Sequence, residues 1–100
     1  MVVVGVLLTL HLPGVQSLKE KRAIVRSLVE RLRVRRQVSA AEVGLQDRLQ
    51  GAEVGFAVVS GDFATARGLA EELRRYIDDE LIGKGEVVRA DLEELAIEGG

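Results

Sequence analysis

Val2-Val3-Val4-Gly5-Val6-Leu7-Leu8-Thr9-Leu10-His11-Leu12-Pro13-Gly14-Val15-Gln16-Ser17-Leu18-Lys19-Glu20-Lys21-Arg22 opens the chain and decides how the rest is read. The Val/Leu run over 2–12 is a strand, and Pro13-Gly14 ends it. Ser17 is a suitable N-cap, and Glu20 three residues later completes a capping box. The helix that follows runs to about Arg36. Leu18, Ile24, Val25, Leu28, Val29 and Leu32 recur along it at helical spacing and form one buried stripe. Leu28, in mid-stripe, is expected to pack on Val6, Leu8 and Phe56. Arg33, Arg35 and Arg36 at the helix end complement its dipole.

Outward from this unit the chain alternates simply. Residues 37–43 form a short second strand and 44–51 a polar loop. Residues 52–60 are a third strand. Gly61 and Asp62 mark a turn and a second N-cap. A second helix reaches about Ile82, with Phe63, Ala66, Leu69, Ala70, Leu73, Tyr76 and Ile77 inward. Gly83-Lys84-Gly85 is a turn, and 86–97 a last strand, although the acidic run over Leu92–Ile97 fits helix or strand. The order β-α-β-β-α-β is the split βαβ, ferredoxin-like arrangement: an α+β domain spanning 1–100, with a four-stranded antiparallel sheet in spatial order 4-1-3-2 and both helices on one face. The first and third strands take the centre because their inward positions are the most apolar.

Strand alternation separates the two sheet faces. Val4, Val6, Leu8 and Leu10 face the helices, as do Val54, Phe56 and Val58, and Val88, Ala90 and Leu92. Val3, Leu7, Val59 and Val87 are left on the outer face. An apolar patch there marks an interface, so a homo-oligomer through this face or a strand edge is expected, with a dimer the simplest form, and a protein-interaction module acting through the same surfaces is the alternative function. Scattered surface apolars are the alternative.

Charge is unevenly distributed. The chain has 100 residues, a net charge of −2 and a pI near 5.4. Residues 19–36 carry eight Lys/Arg and two Glu, so a basic segment sits on an acidic body. Lys19, Arg22, Arg26 and Arg33 fall along one flank of the first helix. That flank suits phosphates, RNA or a ribosomal partner included; a merely solvated helix face is the alternative. The acidic whole argues against strong nucleic-acid binding.

Lys21 lies at the centre of the apolar stripe, so it needs a carboxylate or a route to water. Glu42 is the expected partner, within ion-pair reach, and Asp47 the alternative. A catalytic lysine is the competing reading, which would make the chain a small enzyme working through Lys21 and Glu42. A structural ion pair in a non-enzymatic binding module is preferred.

Other chemistry is excluded by composition. The chain has no Cys and one His, so thiolate metal sites, disulfides and multi-histidine centres are ruled out. No metal or cofactor is expected. Base stacking on the sheet would need outward aromatics, whereas the outward positions of the third strand hold Glu53, Ala57 and Val59. An acylphosphatase-like site would want an Asn, and there is none. His11 has no evident Ser, Cys or Asp partner for general-base work. The apolar start lacks a basic leader, and no run of about 18 uncharged apolar residues occurs. A cytoplasmic protein without a membrane span is therefore expected. Eleven Arg to three Lys, with no Asn, fit a heat-adapted source.

The motifs Ser17-Leu18-Lys19-Glu20-Lys21-Arg22, Val38-Ser39-Ala40-Ala41-Glu42, and Asp47 with Gln50 resemble the small bacterial YlxP-like proteins, a domain-of-unknown-function family. The chain has Arg36-Gln37 and Leu49 where that family's pattern carries Phe-Asn and a Trp. The resemblance implies a ferredoxin-like fold in a cytosolic bacterial protein. It also implies a link to translation, because the family's genes often neighbour ribosome-maturation genes. It transfers no catalytic residue. The matched polar residues are Lys19, Lys21, Arg22, Ser39, Glu42 and Asp47.

Overall fold

The computed structural model describes residues 1–99. Its elements are β1 (Val2–His11), α1 (Leu18–Arg35), β2 (Ser39–Gly44), β3 (Gly51–Ser60), α2 (Phe63–Glu80) and β4 (Glu86–Ala96). The sheet order is β2-β3-β1-β4, which is the expected 4-1-3-2 read from the other edge. All three strand pairings are antiparallel. α1 rests on β2 and β3, and α2 on β1 and β3. Burial alternates along both central strands, so Val4, Leu8, Val54 and Phe56 enter one continuous core with Leu28, Leu32, Leu73 and Ile77.

The helix starts follow the residues that encode them. The Ser17 hydroxyl accepts from the Glu20 N–H at 3.1 Å. The return arm of the box lands one residue early: Glu20 Oε2 accepts from the Gln16 N–H rather than that of Ser17. Asp62 caps α2, accepting from the Thr65 N–H at 2.8 Å. That backbone bond, with the Thr65 hydroxyl, holds the Asp62 carboxyl below its ordinary pKa. A lowered folded pKa means the cap's contribution is present above the unfolded value and fades as pH falls through the folded one.

β2 begins at Ser39 rather than residue 37, because Gln37 takes a left-handed conformation (φ 55°) that interrupts the strand. The turn into β4 is tight. Gly83 has φ 80°, and the Lys84 and Gly85 N–H groups both donate to Leu81 O. A Cβ on Gly85 would collide with the His11 main chain and lie 2.7 Å from Leu12 Cδ2, so this backbone approach requires glycine.

Four expectations of inward or outward placement are corrected. A register shift between Thr9 and Leu10 changes which β4 residues face the helices. Val87 pairs with Leu10 and packs half-buried against the core, so it is not an outer-face residue, and Val88 is 55% exposed. One irregular residue reverses faces because the strand period is two. Leu92 stays on the inner side, opposite Val6, yet is 51% exposed, because α2 covers β1 and β3 and leaves the β4 edge largely open. Leu69 is likewise exposed rather than buried.

Candidate functional site

Lys21 is the one buried charged residue of the described chain, with no exposed surface. Its ammonium donates to four main-chain carbonyls in the turn between β2 and β3: Leu45 O (2.7 Å), Gln46 O (3.1 Å), Arg48 O (2.5 Å) and Gly51 O (3.0 Å). The expected Lys21–Glu42 pair is absent, and Asp47 does not replace it. The α1 stripe aims Lys21 at a loop whose carbonyls converge, and three ammonium donors among four oxygens satisfy the charge without a carboxylate. Leu45 sits in the left-handed region at φ 58°. Such a conformation is unfavourable for a side chain of that size. Bonds to its carbonyl from Lys21 and from the Arg48 N–H (3.0 Å) hold it there.

The basic flank of α1 is gathered as expected. Arg22, Arg26 and Arg33 line one cleft of about 350 Å³ between α1 and β2, floored by Val25 and Val29 and closed by Glu42. Spacing of four and seven residues puts the three on one helix face. Arg33 Nε donates to Ala40 O at 2.7 Å, which tethers α1 to β2. Lys19 is exposed one turn before Arg22, outside the cleft residues. Five other arginines are neutralised locally: Arg31 by Glu80, Arg36 by Glu72, Arg67 by Glu94, Arg74 by Asp78 and Arg89 by Asp91. Among the described residues, Lys19, Arg22, Arg26 and Arg33 have no carboxylate within 4.0 Å.

Glu42 points inward, as alternation with Val38 and Ala40 requires, and pairs across the sheet with Val54. Its Oε2 is buried and receives no hydrogen bond. Of the six matched polar residues, Lys21, Ser39, Glu42 and Asp47 therefore form no single cluster. Lys21 holds the loop, Glu42 faces the arginines, Asp47 is exposed on the loop, and Ser39 is exposed at the start of β2 opposite Ala57.

The outer sheet face carries an apolar row that crosses three strands. Val3 pairs with Val59 on β3 and with Leu95 on β4. Val59 and Leu95 are 61% and 56% exposed, while Val3 and Leu7 are half-buried. Leu95 was not anticipated, because the acidic run around it fits helix or strand. Val43 is exposed beside Gly55 on the same face. His11 lies at the far end, lining an open hollow with Thr9, Arg48 and Gln50. Among the described residues, no group of three or more His, Asp or Glu could hold a metal ion, and no helix is long and apolar enough to cross a membrane.

A de novo designed protein with a ferredoxin fold is similar in structure, with a TM-score of 0.58 at 15% identity over 100% of this chain and 89% of that one. This likeness shows the fold. The Arabidopsis thaliana protein At3g17210 aligns at a TM-score of 0.49 and 12% identity, over 98% of this chain and 97% of that one. Comparison with curated proteins finds no match. A family model described as "Protein of unknown function (DUF503)" matches residues 3–91, and the chain belongs to that family.

Proposed function

We propose that this chain is a binding module that engages the phosphate backbone of single-stranded RNA through the free flank of α1, in the cytoplasm. The observation that carries this reading is the alignment of unmatched cations on one face of α1. Among the described residues, Lys19, Arg22, Arg26 and Arg33 lie along that face with no carboxylate within 4.0 Å, whereas the other unmatched cations, Arg35, Arg48, Arg75 and Lys84, are scattered over the chain. From Lys19 to Arg33 the row runs about 21 Å along the axis, at 1.5 Å per residue. That length suits a polymer better than a single small anion. The YlxP-like resemblance, with its link to translation, supports the same reading. An enzymatic role through Lys21 and Glu42 is disfavoured, because the ammonium is engaged by four carbonyls and the carboxylate lies elsewhere.

The net charge of −2 opposes the interaction, so binding is expected to be weak and steeply salt-dependent. With three or four phosphate contacts, log K should fall against log salt with a slope of about −2 to −3. Arg22→Glu with Arg26→Glu should weaken binding of a fluorescent 12-nucleotide RNA by at least about tenfold and flatten the slope by about 1.4. Arg75→Glu on α2 should do neither. Fluorescence anisotropy across a salt series measures both, and equal behaviour of the two variants would remove the reading.

A second reading rests on the row Val59–Val3–Leu95: self-association of two copies through the outer sheet face. A twofold contact would lay this row against itself and cover Leu7 beside it. Val59→Glu would then place a charge inside an apolar contact and shift the protein toward monomer. Sedimentation of the unmodified chain as a monomer at micromolar concentration would rule it out.

A further inference from the structure

We propose that Glu42 accepts a hydrogen bond from a ribose 2′-hydroxyl, so that the α1–β2 cleft selects RNA over DNA; this rests on the reading of the α1 flank as a phosphate-binding surface. The starting point is an anomaly. Glu42 Oε2 is buried without a donor, although three guanidinium groups line the same cleft. None of them comes within 4.0 Å of it, and Arg33 donates instead to Ala40 O. An ionised carboxylate is an acceptor only, and a buried acceptor is ordinarily supplied with a donor. Lys21, the expected donor, is fully engaged by the β2–β3 loop. A donor that enters the cleft from outside can supply what the protein does not.

The rest of the cleft limits what brings it. Arg22 and Arg26 are exposed and unmatched, so the entering group carries negative charge. A bare phosphate or sulfate would meet repulsion from Glu42 and offer it no proton. A ligand that fits both halves has an anion for the arginines and a neutral donor beside that anion for the carboxylate. RNA has this arrangement at every nucleotide, because the 2′-hydroxyl adjoins the phosphates. DNA presents the same phosphates and lacks the donor. A 2′-hydroxyl that reaches the Glu42 carboxylate gives it a charge-assisted bond, which is among the stronger hydrogen bonds.

The test measures the anisotropy of the full chain with three fluorescent 12-mers of one sequence: RNA, DNA with uracil bases, and 2′-O-methyl RNA. Wild type should prefer RNA over both others by about tenfold, the effect of one hydrogen bond to a charged group. The 2′-O-methyl strand separates donation from sugar shape, because it keeps an RNA-like pucker but has no proton to give. Glu42→Ala should bind RNA and DNA alike, with its DNA affinity unchanged or raised because a repulsive charge is gone. A circular-dichroism melt checks that this variant is folded, and Glu42→Gln, which keeps an acceptor and the side-chain shape, should retain part of the preference. Equal, salt-sensitive binding of RNA and DNA by wild type would overturn the role of Glu42 and leave the phosphate surface standing. So would an RNA preference that survives in Glu42→Ala, which would place the discrimination elsewhere. Absence of binding to all three strands, or binding indifferent to Arg22→Glu with Arg26→Glu, would overturn the phosphate surface and this proposal with it.

Discussion

Lys21→Met is expected to destabilise the protein by about 3 kcal/mol or more, because several main-chain acceptors lose a charged donor at once. Methionine keeps the length and apolar stem of lysine and loses the ammonium. The carbonyls of Leu45, Gln46, Arg48 and Gly51 would then lose the donor they share, Leu45 O keeping only its bond from the Arg48 N–H. Each unsatisfied buried acceptor costs about 1–3 kcal/mol. The four do not simply add, because residues 46–50 are exposed and the turn can open to water. Opening carries its own cost. It releases Leu45 from its left-handed conformation and loosens Gln50, whose amide donates to Pro13 O and Val15 O at 3.0 and 3.3 Å. Lys21→Arg should fail as well, because a planar guanidinium does not fit a cage built around a compact ammonium. Chemical denaturation measures the loss. A change under about 1 kcal/mol would show that the loop rehydrates freely and that the cage contributes little.

Lys21 also marks where the sequence stops being legible. Its place on the apolar stripe follows from spacing alone, and so does its need for a partner. The partner itself leaves no trace in composition, because every residue supplies a backbone carbonyl. Carboxylates are visible as letters, and Glu42 and Asp47 are the ones the sequence offers as partners for Lys21. The strand order was readable for the opposite reason. β1 and β3 are apolar at each inward position, and only central strands need that. The β4 faces were not readable past the irregularity at Thr9/Leu10, since one shifted residue exchanges Val87 for Val88. Leu69 and Leu92 show a third kind of limit. Periodicity tells which side of a helix or strand is apolar, but not how far a helix reaches across the sheet. For the candidate site, the alignment of Arg22, Arg26 and Arg33 was legible, and alternation put Glu42 on one face with Val38 and Ala40 without saying which face the helices cover. That all four border one cleft depends on how α1 lies over β2, which no local pattern records.

Leu28→Ala should cost about 2–5 kcal/mol through lost burial and the cavity it leaves. α1 is anchored by few side chains. Val25, Leu28, Val29 and Leu32 are its buried apolar residues, and Leu28 is 4% exposed. The strands beneath α1 offer little to fill a void. β2 contributes only Ala40 as a fully buried residue, and β3 is held by pairing on both sides, which resists collapse toward the helix. A core packed near crystal density relaxes only partly around a lost isobutyl group. The upper part of the range is therefore expected at Leu28. Leu92→Ala is the matched control: the same chemical change on the inner side of β4, where the side chain is 51% exposed. Far less apolar surface is recovered from water there, so its cost should stay below about 1 kcal/mol. Paired denaturation curves give the difference directly. Similar losses at the two positions would mean that α2 closes over the β4 edge in solution and that Leu92 belongs to the core. A small loss at both would mean that α1 is held by Arg33, Lys21 and the sheet edge rather than by its apolar stripe.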